Sequence, residues 1–349
     1  MTDPQPAIGL DSRDYAAARY RSARPAFAFP GGEPAAVLAW AAGARARLAE
    51  RVGPFPASKV PLEPRLGPVA QKDGYTRRLV TFSTREFLAA SAWLLVPDGL
   101  SAPTPAMLCI PGHGYGADDL VGIDEQGRDR DHHDGYQHDF AIQCAKLGLV
   151  TLALEPLGFG RRRDADARKA GPAASSCQTA SGAALLLGES MVGWRTYDSI
   201  RALDLLQSLP AVDPNRLGMM GISGGGTVTL YTAALDDRVK VAYLSCSFCT
   251  FLESIYGVNH CIDNFVPGLL RDFEAADIAA LIAPRYLFVE AGLKDKIFPE
   301  AGTRRALEAA ARAYAALGIP DHIAHAFFDD GHVFSGVEGL PRVRAWLGA

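Results

Sequence analysis

The chain has 349 residues, 48% of them hydrophobic and 21% charged, an ordinary globular balance. Thirty-five basic against 39 acidic side chains leave a net charge of −4, which supplies no basic field for nucleic acid or an anionic membrane surface. No apolar run has the length of a membrane span and no signal peptide is visible at the N-terminus, so a cytoplasmic enzyme is expected.

Residues 1–75 read as a helical extension packed on the main domain. Asp14–Tyr20 and Glu33–Glu50 are rich in alanine and arginine, the second with helical spacing, and Pro61–Pro68 punctuates an irregular crossing. Nothing there pairs a nucleophile with a base. Over residues 76–349 strands and helices alternate. Arg78–Ser83 and Phe87–Val96 predict an antiparallel hairpin. Ala106–Ile110 and Leu149–Leu154 are apolar on both faces, as central parallel strands are. Arg216–Ile222, Val239–Ser245, Arg285–Glu290 and His322–Phe328 complete eight strands. Helical patterns fall near 138–147, 196–208, 224–235, 273–282, 301–317 and 338–348. This alternation predicts an α/β fold, an eight-stranded mostly parallel sheet covered by helices on both faces.

Gly221-Ile222-Ser223-Gly224-Gly225 lies between one of these strands and the helix that follows it. A serine on a strand-to-helix turn is held in a cramped backbone conformation that lifts its hydroxyl to the carboxyl edge of the sheet. Loops at that edge build the active site of an open parallel sheet, and two others carry complementary chemistry. Ala291–Ile297 offers Asp295, and Asp329-Asp330-Gly331-His332-Val333 offers His332. A serine hydroxyl needs an imidazole to accept its proton, and the imidazole needs a carboxylate to fix its tautomer. The order Ser223, Asp295, His332 is the order of strand-turn-helix serine enzymes. Asp329 and Asp330 sit in the histidine's own turn and are expected to hold loop backbone. A fourth loop, Pro111-Gly112-His113-Gly114-Tyr115-Gly116, supplies an oxyanion site. The Gly224 amide is one donor and the Tyr115 amide the other, with Gly114 as the near alternative.

These residues resemble the α/β-hydrolase superfamily, and within it the dienelactone-hydrolase and acetyl-xylan-esterase-like group. The resemblance spans about residues 75–349. It rests on the Gly221–Gly225 turn, His113-Gly114-Tyr115, the Asp295 and His332 loops, and Leu187–Arg195 followed by Asp198 and Arg201–Asp204. It implies a serine esterase working through an acyl-enzyme on short-acyl esters of a polar or sugar-like alcohol, with no cofactor. A prolyl-oligopeptidase-type peptidase would need a propeller that the first 75 residues are too few to form. A silent binding scaffold normally lacks a triad member. The chain departs from the cephalosporin-C and acetyl-xylan esterase family proper, which carries Arg-Gly-Gln where this chain has Gly158-Phe159-Gly160-Arg161. That family has glutamine where this chain has Gly224.

Three long loops should rim the pocket. Residues 115–137 include Asp131-His132-His133-Asp134, read as a solvated or substrate-facing loop because adjacent side chains seldom aim at one metal ion. Residues 156–193 carry Arg161, Arg162, Arg163 and Lys169, read as a solvated face, with recognition of a substrate carboxylate or phosphate as the sharper alternative. Residues 247–272 hold Phe248, Phe251 and Phe265, expected with His113 to contact the substrate and to wall a small acyl site. Cysteines 109, 144, 177, 246, 249 and 261 lack a paired metal spacing, so no metal is assigned and reduced buried thiols are expected. The partner is a small-molecule ester, neither nucleic acid nor membrane; a homo-oligomer stays open.

Overall fold

In the computed structural model, which describes residues 10–132 and 135–349, two helices lead into the sheet. Asp11 caps α1 (Ser12–Ser22) by accepting from the Arg13 amide. The second helix, α2 (Pro34–Val52), opens on a proline whose missing N–H costs nothing in the first turn. Ala41, Ala44, Leu48 and Val52 recur at helical spacing and enter the main core. Arg45 donates to the carbonyls of Ala234 at 2.9 Å and Leu281 at 2.7 Å, fastening α2 to the domain behind it.

Two two-residue pieces, β1 (Arg65–Leu66) and β2 (Ala70–Gln71), pair antiparallel with β3 (Tyr75–Arg85). These lie in the proline-rich crossing and add to the eight strands expected. The hairpin partner is β4 (Leu88–Pro97). Then follow β5 (Thr104–Ile110), β6 (Val150–Leu154), β7 (Val212–Ile222), β8 (Val239–Ser245), β9 (Tyr286–Gly292) and β10 (Ile323–Phe328). The sheet order is β1-β3-β4-β6-β5-β7-β8-β9-β10, with β2 beside β3. From β6 to β10 every pairing is parallel, so the carboxyl ends of six strands share one edge.

The remaining helices are α3 (Phe140–Lys146), α4 (Ala165–Ala170), α5 (Cys177–Leu186), α6 (Met191–Ser208), α7 (Gly224–Leu235), α8 (Ala275–Ala280), α9 (Glu300–Ala316) and α10 (Gly339–Leu347). One face of the sheet is covered by α2 and α6–α9, through residues such as Leu48, Leu203, Tyr231, Ile278 and Tyr314. Phe140 of α3 and Leu340, Val343 and Leu347 of α10 cover the other. The short α4 and α5 occupy the span 156–193, which the sequence reading took as loop. Among the described residues no helix is long and apolar enough to cross a membrane.

Candidate active site

Ser223 sits between β7 and α7 at φ 56° and ψ −126°, a conformation that L side chains rarely adopt. Close packing on both sides enforces it. A Cβ on Gly221 would stand 2.4 Å from the Gly225 carbonyl, and one on Gly225 would stand 2.1 Å from the Ile110 oxygen. Strand and helix therefore touch backbone to backbone, and only glycine fits. The Ser223 amide donates to the Ser245 carbonyl at 3.0 Å, tying the turn to β8. The Gly224 amide is the first of α7, with no carbonyl a turn earlier to accept it.

The next two loops meet through a hydrogen bond. Asp295 Oδ2 lies 2.7 Å from His332 Nδ1, with the carboxylate fully buried and the imidazole 18% exposed. The other oxygen, Oδ1, accepts from the amides of Ile297 at 2.7 Å and Phe298 at 3.1 Å. Both oxygens are thus assigned and the carboxylate cannot turn. Tyr136 stacks on the imidazole at 5.6 Å and Phe298 at 5.8 Å, which fixes the plane of the ring. The neighbouring acids point elsewhere: Asp329 pairs with Lys294 at 2.8 Å and Asp330 accepts from the Gly331 amide. Glu290, buried at the end of β9, accepts from Ser245 Oγ at 2.6 Å and from the amides of Ser335 and Gly336. It joins the serine side of the edge to the histidine loop.

The Pro111–Gly116 loop is clamped along its length. The Gly112 amide donates to Gln137 Oε1 at 2.8 Å, and Tyr136 Oη donates to the His113 carbonyl at 2.7 Å. Tyr115 Oη donates to Asp119, which also takes Gln137 Nε2. Gly112 is therefore committed, and among the described residues no protein acceptor takes the Gly114 or Tyr115 amide. Glu155, at the end of β6, accepts from the Ala117 amide at 2.9 Å and fills the space that a Cβ on Gly116 would need. Burial pushes this carboxyl up to about 7 against the pull of its amide donors. The native chain therefore holds a proton that the unfolded chain gives up as pH rises above the ordinary carboxylate range. The stability this supplies is fully present below that range and is lost as pH rises through about 7. Glu155→Gln keeps an oxygen for Ala117 and removes the titration. Its melting temperature should fall less than that of wild type between pH 5 and 8, by roughly a few degrees, in a thermal-shift series. Parallel curves would refute the assignment.

The expected substrate contacts separate. His113 lies against the turn, since a Cβ on Gly224 would stand 3.2 Å from its ring, and its Nε2 is 3.1 Å from Asp263 Oδ2. Burial alone would lower its pKa, but the Asp263 carboxylate and the Cys177 sulfur beside it overcome this and push it up to about 9. Phe248 is 1% exposed and belongs to the main core, because it packs inward from the β8 end. Phe251 and Phe265 instead line a cavity of about 710 Å³, together with Tyr20, Tyr256, Asn264 and arginines 19, 24 and 271. Asn264 also approaches the α7 N-terminus, so it forms a wall between cavity and serine. Arg161 pairs with Asp118, Arg162 with Asp198 at 2.7 Å, and Arg163 with backbone carbonyls. Arg161 and Lys169 stay exposed as a solvated face, whereas Arg162 and Arg163 are turned inward as structural ties, and for these two the solvated-face reading is corrected. His133 and Asp134 lie outside the described residues.

The reading along the sequence missed Gln137, Glu155, Glu290 and the stacking pair Tyr136 and Phe298. Only Glu155 and Glu290 carried a signal, each a carboxylate ending an apolar strand.

A serine on a strained strand-to-helix turn, with a carboxylate–imidazole pair on later loops of the same parallel edge, defines an α/β-hydrolase. The chain belongs to the Abhydrolase family, which matches residues 10–332. It is 33% identical over 270 residues to a Bacillus subtilis protein provisionally termed the hydrolase YtaP, covering 74% of this chain and 84% of that one. Among solved structures it resembles a Bacteroides fragilis protein provisionally termed an acetyl xylan esterase. The TM-score is 0.77 at 22% identity, covering 92% of this chain and 83% of that one. It also resembles a glucuronoyl esterase from Solibacter usitatus, with TM-score 0.68 at 15% identity, covering 92% and 96%.

Proposed function

We propose that the protein is a serine-dependent carboxylic ester hydrolase that acts through an acyl-enzyme on short-acyl esters of a polar, sugar-like alcohol. The observation that carries this reading is the 2.7 Å contact between His332 Nδ1 and Asp295 Oδ2, on the same edge as the strained Ser223. With Nδ1 engaged, Nε2 is the nitrogen that takes the serine proton as Ser223 attacks the carbonyl, and it returns that proton to the leaving alcohol. The amides of Gly224 and Tyr115 hold the oxyanion. Water then repeats the sequence on the acyl-enzyme. No cofactor enters these steps.

The polar alcohol is supported by the cavity on the far side of Asn264 from Ser223, where aromatic faces and arginines offer stacking and hydrogen bonds to a hydroxylated ring beyond the ester bond. The sugar esterases among the structural relatives support it as well. Six free cysteines support a reducing, cytoplasmic setting.

A chain-length series of p-nitrophenyl esters tests the acyl half. Apolar pockets discriminate by roughly 1–3 kcal/mol per methylene that fits or fails to fit. Acetyl and propionyl esters should therefore exceed octanoyl esters by at least about tenfold in kcat/KM. Activity that rises steadily toward long chains would turn the 247–272 segment into an apolar lid and end the short-acyl reading.

A further inference from the structure

Behind the oxyanion loop lies a cluster that the ester-hydrolase mechanism does not use. His113, Cys177, Cys261 and Asp263 bring one ligand atom each to within 4.8 Å of all the others. Cys177 is 1% exposed and opens α5, so its sulfur lies at the positive end of a helix of ten residues. Arg195, itself buried, donates through Nη2 to this sulfur at 3.3 Å and through Nη1 to Asp263 Oδ2 at 2.6 Å. Cys261 is half-buried and immediately precedes Ile262–Asn264, the turn whose Asn264 walls the cavity.

The same four donors could suggest a soft metal ion. The Arg195 guanidinium argues against it, since it already occupies lone pairs on two of the four and places a positive charge where a cation would sit. The cations Arg195 and His113 face Asp263 and the Cys177 sulfur, which as a thiol donates to Asp263 Oδ2 at 3.0 Å and as a thiolate is balanced by the second cation.

We propose that Cys177 and Cys261 are a redox-active thiol pair, a modification site at which peroxide closes a reversible disulfide beside the active site. The Cys261 thiol beside it, followed by His113 and Arg195, outweighs burial and pushes the Cys177 thiol down to about 5. The same closeness, with burial, pushes Cys261 up, so Cys261 is the protonated partner. Reactive thiols pair a stabilised thiolate with a resolving cysteine and need a route for peroxide, which here runs past the half-buried Cys261, since Cys177 is buried.

The Cys177 thiolate attacks one oxygen of hydrogen peroxide. The S–O bond forms, the O–O bond breaks, and the hydroxide released takes a proton to leave as water. Cys261, giving up its proton, attacks the sulfenic sulfur; the S–S bond forms and the S–O bond breaks with loss of a second water. Two thiols are oxidised to one disulfide and one peroxide is reduced to two waters. The sulfurs must close to a bond of about 2.05 Å, drawing Cys261 toward α5. Two consequences follow for the site. His113 loses the thiolate that helps hold it charged beside Gly224, and the Asn264 wall is tethered to α5.

The test uses the full chain treated with hydrogen peroxide, then denatured, blocked with N-ethylmaleimide and mapped by mass spectrometry without reduction. Two of the six thiols should become unreactive, a Cys177–Cys261 cross-linked peptide should appear, and dithiothreitol should restore both thiols. In parallel, p-nitrophenyl acetate turnover should fall on oxidation and recover on reduction. Cys261→Ser should start from wild-type turnover and show no reversible loss. Six thiols that stay reactive, or a bridge between other cysteines, would overturn the proposal. So would thiols that are protected until a pyridylazoresorcinol assay releases zinc. If turnover fell equally in Cys261→Ser, control of the cavity by this pair would be refuted. The turnover arm rests on the ester-hydrolase reading; the mass arm does not, so the two can fail separately.

Discussion

Ser223→Ala is expected to lower ester turnover by about 10³-fold or more while the protein stays folded. The substitution removes the hydroxyl but keeps the Cβ, so the strained turn at φ 56° carries the same steric load in both proteins. The contacts that build the turn are backbone contacts. The Ser223 amide still reaches the Ser245 carbonyl, and Gly221 still abuts Gly225. Melting temperature should therefore change little, and the loss should appear in kcat, because the oxyanion amides and the cavity remain to bind substrate. A fluorophosphonate should label wild type once and the variant not at all. Labelling that survives the substitution would place the nucleophile elsewhere and end the serine-esterase reading.

How much of this was legible beforehand follows from how local each feature is. The Gly221–Gly225 turn is contiguous, and its glycines answer a steric demand that any strand-to-helix contact makes. The helix after it was read at 224–235, where α7 runs. Asp295 and His332 were found by a different rule, that parallel strands bring their following loops to one edge. The eight main strands followed from apolar runs too short for helices. Apart from the strand-ending Glu155 and Glu290, the features that escaped notice have no local signature. His113, Cys177, Arg195 and the Cys261–Asp263 pair come from four separate stretches, and only folding shows that they share one cluster. The α4 segment alternates alanine with charged residues and α5 is rich in small residues, and their weak amphipathic pattern resembles a polar loop. Phe248 and Phe251 are three residues apart and look alike in sequence. One turns into the core and the other toward the cavity, a difference set by the path of the chain after β8.

The carboxylate gives the second large effect, and its geometry specifies how the effect arises. In Asp295→Asn one oxygen and one NH2 replace two equivalent oxygens. The position now held by Oδ1 receives the amides of Ile297 and Phe298, so the remaining oxygen must stay there. The NH2 group is then forced toward His332 Nδ1, where an acceptor stood at 2.7 Å. Nδ1 has to accept, so the ring proton moves to Nε2, the nitrogen that should take the serine proton. The variant would be folded and correctly arranged but in the wrong tautomer, and kcat should fall by about 10³–10⁴-fold. Asp329→Asn and Asp330→Asn touch only Lys294 and the Gly331 amide, so each should stay within roughly twofold of wild type. Steady-state kinetics on p-nitrophenyl acetate for the three variants, each checked by thermal melt, separates the cases. A larger loss from Asp330→Asn than from Asp295→Asn would mean that the imidazole takes its orientation from its own turn rather than from the loop after β9.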